Sequence, residues 1–259
     1  MKQPGTSTIM EYKEERDWKN VREYLEKKKV EYSIMEERID VYVQRRFIAH
    51  LRNLQKKPRE FKKKQSEAIN NIPKLYNALN LTSEKRELLV VLSTLEDVTA
   101  YRAIESFQKQ DTPLKKWATI ALQQSRMLIQ ASLLEDKTVY VSTGLGGYGK
   151  LIRYFCVFIA KKGVKIQPYQ HETLFKETEQ AITQRGGKVE EHETGKKFDT
   201  YTILLPLDVD VKQVFENIVK ECNNYGDFLE KNAMITNVRK FTMQEIEDII
   251  FLTPRGLRA

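Results

Sequence analysis

The spacing of apolar residues changes once along this chain, near Leu134, and that change restricts the fold more than any other feature. Before it, apolar residues recur every three or four positions, the period of a helix with one buried stripe. From Met10 to about Gln55 there is no Pro or Gly, and Trp18, Val21, Tyr24, Leu25, Ile34, Ile39, Tyr42, Val43, Phe47, Ile48, Leu51 and Leu54 follow this spacing. Pro58 interrupts it, so KKPREFKKKQSE reads as a loop leading to a helix over Ala68–Leu79. Thr82 and Ser83 are N-cap candidates for a further helix carrying Leu88, Leu89, Val91, Leu92 and Leu95.

After Leu134 the residues turn β-branched and aromatic around a glycine-rich segment. Thr138–Thr143 and Ile152–Ala160 read as antiparallel strands joined by Gly144–Lys150. A helix over Pro168–Arg185 should end at Gly186 and Gly187, with strands following at Lys188–Thr194 and Thr200–Leu207. Asp210 should open a helix to Asn223, Ala233–Phe241 should form the last strand, and Thr242 should cap a helix to Phe251. The expected class is α+β: an all-helical domain over residues 1–135, then an antiparallel-sheet domain over residues 136–259.

Two resemblances refine this expectation. TSEKRELLVVL (Thr82–Leu92) aligns without a gap on TPLKKWATIAL (Thr112–Leu122), matching Lys85 with Lys115, Arg86 with Lys116 and Leu92 with Leu122. With Asp111 in the turn and the small residues Ala118 and Ala121, the segment from about Ala68 to Leu134 resembles HEAT-type repeats, and an ordinary helical bundle fits the same pattern. Leaving out the first strand, the second half runs βαββαβ, and residues 138–251 resemble a ferredoxin-like domain with two helices on one sheet face.

Charge is the strongest functional signal. Between Arg45 and Lys64 stand Arg45, Arg46, Arg52, Lys56, Lys57, Arg59, Lys62, Lys63 and Lys64, against one acid, Glu60. That balance of +8 equals the formal net charge of the chain, so the basicity is local. Such a stretch attracts polyanions: nucleic-acid phosphates, an anionic membrane surface or an acidic protein. Between Thr138 and Tyr169 there is no Asp or Glu, while Lys150, Arg153, Lys161, Lys162 and Lys165 are present, a second basic segment.

Gly144–Lys150 satisfies the G-x-x-x-x-G-K part of a phosphate-binding loop, and with AKKGVKI further on it resembles deviant P-loop ATPases, which implies Lys150 on a nucleotide phosphate. Against this, Leu151 replaces the magnesium-holding Ser/Thr, and RYFCVFI is a better strand than helix. That strand, Arg153–Ile159, resembles the aromatic strand of RNA-recognition modules, although the small residue and Gly of that motif are missing. Packing of its outward face against the helical domain is the plainer expectation. Cys156 and Cys222 lie in apolar patterns and read as reduced, buried thiols of a cytoplasmic protein. His50, His171 and His192 show no ligand spacing with them, and no catalytic motif, cofactor site or metal site stands out.

The expectation is a binding protein rather than an enzyme. Its partner would be RNA or a ribonucleoprotein such as the ribosome, held by Arg45, Arg46, Arg52, Lys56, Lys57, Lys62, Lys63 and Lys64, with Lys150 and Arg153 secondary. The alternatives are a protein–protein adaptor using the helical repeats and a nucleotide binder using the degenerate loop at residues 144–150.

Overall fold

A computed structural model describes residues 32–134 and 139–252. The helical pattern expected through Trp18, Val21, Tyr24 and Leu25, and the segment 135–138, lie outside the described residues. The architecture mixes helix with an antiparallel sheet, and the chain divides into two compact units, residues 1–142 and 143–259.

The first unit is not all-helical. Strand β1 (Tyr32–Ile34) falls inside the stretch expected to be helix and pairs in parallel with β2 (Val139–Val141), Tyr32 opposite Val139 and Ile34 opposite Val141. So β2 is not the hairpin partner of the Ile152 strand. A three-residue ladder between segments this far apart in sequence carries no local periodicity, which is why the spacing pattern passed over it. Asp40 then sets the helix start: its Oδ1 accepts from the Tyr42 amide at 2.7 Å, and helix α1 spans Val41–Gln55.

Helix α2 (Pro58–Ala68) occupies the stretch expected to be loop. Pro58 sits in its first turn, where a missing N–H costs nothing. The expected Ala68–Leu79 helix is instead cut by Pro73, which opens the single turn α3 (Pro73–Tyr76). Helices α4 (Thr82–Leu92), α5 (Val98–Gln108) and α6 (Lys115–Leu134) complete the unit. The N-cap of α4 is Leu81 rather than Thr82 or Ser83; the Glu84 carboxylate accepts from its amide at 3.3 Å. Phe47, Leu89, Leu92, Ile104, Ala118 and Ala121 are wholly buried, and Phe47 meets Trp117 with ring centroids 5.1 Å apart.

In the second unit, β3 (Gly147–Tyr148) turns through Gly149–Lys150 into β4 (Leu151–Ile159), Tyr148 opposite Leu151. Gly149 has φ 57°, the left-handed conformation that such a two-residue hairpin demands. Helix α7 (Pro168–Thr183), strands β5 (Lys188–Thr194) and β6 (Phe198–Pro206), and helix α8 (Val211–Asn224) follow. Strand β7 (Met234–Thr236) and helix α9 (Met243–Leu252) end the described chain. The sheet is antiparallel with order β3–β4–β6–β5, and β7 also pairs with β4, Phe155 opposite Thr236. Only Met234–Thr236 of the expected Ala233–Phe241 strand stays in the ladder, because Phe241 turns onto the sheet and packs against Phe155 at 6.2 Å.

Both faces of β4 are consumed inside this unit. Phe158 stacks on Phe215 of α8 at 5.2 Å and meets Tyr201 edge-on at 5.6 Å. On the other face Phe155 and Val157 lie under Leu145, Phe198, Phe241 and Ile246. The cover is the chain's own α9 segment, so exposed rings for RNA stacking are not found on β4: Phe155 is 5% exposed. Cys156 and Cys222 are free and buried, and burial pushes the Cys222 thiol up to about 12.

Candidate nucleic-acid interface

Helix α1 buries Gln44 and Phe47 and leaves the opposite side exposed. Gln44 is satisfied in place, donating to the Ile39 carbonyl at 2.9 Å and accepting from the Ser142 hydroxyl at 2.8 Å. At about 100° per residue, Arg45, Arg52 and Lys56 share one outward strip of α1 with Arg46 beside it. The guanidinium of Arg46 lies over the Tyr42 ring, 5.6 Å from its centroid. On α2, Arg59, Lys62 and Lys63 likewise point outward.

Part of this run is paired with acids, two of them near in sequence and one brought in by the fold. Lys57 pairs with Glu60 at 3.3 Å, Lys63 with Glu67 at 3.9 Å, and Lys64 with Glu87 of α4. Each of these three has an acid partner, so the run is less bare than its balance of nine cations to one acid suggests. Lys56 Nζ donates to the Asn53 side-chain amide oxygen at 3.2 Å. Among the described residues no carboxylate pairs with Arg46, Arg52, Lys56, Arg59 or Lys62. Those five are the cations the run leaves available.

Beneath this surface His50 lies edge-on to Trp117 at 6.1 Å. Burial pushes its pKa below 6.5, so its imidazole is neutral at pH 7 and adds no charge. The cleft beside it, about 390 Å³, is lined by Lys64, Lys74, Lys85, Glu67, Glu84 and Glu87 among others. Three cations facing three anions make it no anion site.

In the second unit, the Arg153 guanidinium is engaged within the fold. Its Nε and Nη2 donate to the two carboxylate oxygens of Glu190, and Nη1 donates to the Leu145 carbonyl at 2.9 Å. Glu190 sits at the register shift between Val189 and Glu191, which turns its carboxylate toward β4. Arg153 thus fastens the glycine-rich loop to β5. Lys150 lies in the exposed two-residue turn, which leads into strand β4 rather than into the helix N-terminus a phosphate loop requires. That geometry counts against the nucleotide-binding reading of residues 144–150. Gly144 has its own reason: a Cβ there would lie 1.9 Å from the Val238 carbonyl oxygen.

One constellation had no signal in the sequence. The buried carboxylate of Asp199 on β6 meets His171 Nδ1 of α7 at 2.6 Å through one oxygen and His192 Nε2 of β5 at 3.1 Å through the other. His192 also stacks on Tyr201 at 4.4 Å. Burial pushes the Asp199 carboxyl above its usual range, against the two imidazoles, which pull it down. Among the described residues no group of three or more His, Cys, Asp and Glu is arranged to hold a metal.

No protein-family profile and no curated protein matches the sequence. Among solved structures, the chain is similar to a REP-associated tyrosine transposase bound to a REP hairpin, at 12% identity and a TM-score of 0.30, over 39% of this chain and 66% of that one. A likeness of that size carries no argument about fold or function. Among the described residues no helix is long and apolar enough to cross a membrane.

Proposed function

We propose that this protein binds nucleic acid, RNA or a ribonucleoprotein, through the outward surface of α1 and α2. The observation that carries the reading is the set Arg46, Arg52, Lys56, Arg59 and Lys62, none of which meets a carboxylate among the described residues. Cations left without acids on two consecutive helices suit a run of phosphates, and with no base-reading motif the contacts would be mainly to backbone. The order β7–β4–β6–β5, with α7 and α8 on one face, supports reading the second unit as ferredoxin-like. A rival adaptor reading draws on the helical hairpins and on Leu79 and Leu81, which are 91% and 65% exposed.

The test is direct titration of the full chain with a fluorescein-labelled single-stranded RNA across a salt series. Changing Arg46, Arg52, Lys56, Arg59 and Lys62 to Gln should weaken binding and flatten the logarithmic salt slope by about 0.7 for each phosphate no longer neutralised. Parent-like affinity and slope in that variant would pass first place to the adaptor.

A further inference from the structure

The second unit gathers lysines from separate loops at one end of its sheet. The Ala160 amide donates to the Lys197 carbonyl at 2.7 Å, and the Ile166 amide donates to the Lys196 carbonyl at 3.3 Å. The Lys161 amide donates to the Phe228 carbonyl at 2.8 Å, which draws in the turn after α8. Lys161, Lys162 and Lys165 from the β4–α7 loop therefore stand beside Lys196 and Lys197 from the β5–β6 turn, although more than thirty positions separate them in sequence.

The acids here do not balance these five cations. Asp227 pairs with Lys161, buried Asp199 meets His171 and His192, and Glu172 pairs with Lys176, while the exposed Glu230 is brought in by its amide, which bonds the Ile159 carbonyl. Among the described residues no carboxylate pairs with Lys162, Lys165, Lys196 or Lys197, and all four lie at the surface. Tyr169, four positions after Lys165 in the first turn of α7, leaves 59% of its surface in solvent. Cations following a backbone beside an exposed aromatic ring are the two elements of single-strand recognition.

We propose that this end of the sheet is a second nucleic-acid site: Lys162, Lys165, Lys196 and Lys197 contact the phosphates of single-stranded RNA, and Tyr169 stacks on one of its bases. The proposal rests on the nucleic-acid reading above and adds a surface that the α1–α2 cations do not include.

The probe is fluorescein-labelled 20-nucleotide oligo(U), titrated against the full chain by anisotropy. Changing the four lysines to Gln should weaken binding about tenfold or more and lower the salt slope by about 0.7 for each phosphate no longer neutralised. Tyr169→Ala should weaken it about fivefold or more, and Tyr169→Phe should bind like the parent, since stacking needs the ring and not the hydroxyl. Thermal melts of all variants should superimpose, because every altered side chain lies at the surface. Parent-like binding by both the quadruple variant and Tyr169→Ala overturns the proposal. If the α1–α2 variant loses affinity and the quadruple variant does not, the first reading stands and this one falls. Loss in the quadruple variant alone upholds this site and removes the first, and a parent that binds no oligo(U) sinks both.

Discussion

Arg52 and Arg153 are both arginines from acid-poor stretches of sequence, and the fold gives them opposite employment. Arg52 stands on the outer side of α1, and no carboxylate pairs with it among the described residues. Arg153 is 12% exposed at its side chain and bridges Glu190 to the Leu145 carbonyl. The difference lies in what the secondary structure offers each position. A helix on the edge of a bundle keeps a polar strip facing solvent, whereas β4 has a partner strand along both edges and cover on both faces. A bulge in β5 then presents the one acid that a part-buried guanidinium needs. Local charge density in sequence is thus a fair guide on an exposed helix and a poor one inside a sheet.

Removing the clamp should produce the largest effect. Arg153→Met leaves the Glu190 carboxylate at 23% exposure without its cation and releases the glycine-rich loop, so urea denaturation should show a loss of about 3 kcal/mol. A loss near zero would place Arg153 in the same class as Arg52 and remove the contrast. The loop itself gives the next effect. Gly144→Ala drives a Cβ against the backbone carbonyl of Val238, and about 2 kcal/mol of stability should go with it, measured in the same urea series.

A third test uses pH. Burial raises the Asp199 carboxyl in the folded protein above its ordinary value of 3.8. A raised folded value means a stabilising contribution that is complete below pH 3.8 and lost as pH rises through the folded value. The groups facing Asp199 are His171 from α7, His192 from β5, Tyr201 from β6 and Cys222 from α8, with Glu177 and Glu221 behind Cys222. Relative to the parent, Asp199→Asn should therefore gain stability as pH is raised from about 3.5 to 6 in thermal melts. A difference between the two proteins that is independent of pH would mean that the carboxylate is fully compensated by its imidazoles. The smallest effect belongs to the exposed pairs: Lys57→Gln and Lys63→Gln should each change stability by less than about 0.5 kcal/mol, since the lysine side chains are 68% and 76% exposed. Neither substitution should alter RNA affinity as much as Arg52→Gln; a larger loss at Lys57 or Lys63 would show that paired lysines also serve as contacts.

Sequence alone determined the class and most of the elements. The three-to-four spacing up to Leu134 marked a mainly helical first half, and Asp210 and Thr242 marked the entries to α8 and α9 because cap chemistry is local. The glycine pair at Gly186 and Gly187 marked the end of α7 for the same reason. Local signals also misled where a proline has two meanings: Pro58 opens a helix, and Pro73 divides one. Only the tertiary structure decided which charges are spent and which remain. The β1–β2 ladder, the bridge from Arg153 to Glu190, the pairing of Lys64 with Glu87 and the two imidazoles on Asp199 all join residues from different elements. Their energies arise from burial and from a partner's approach across the fold, quantities that no window of neighbouring residues contains.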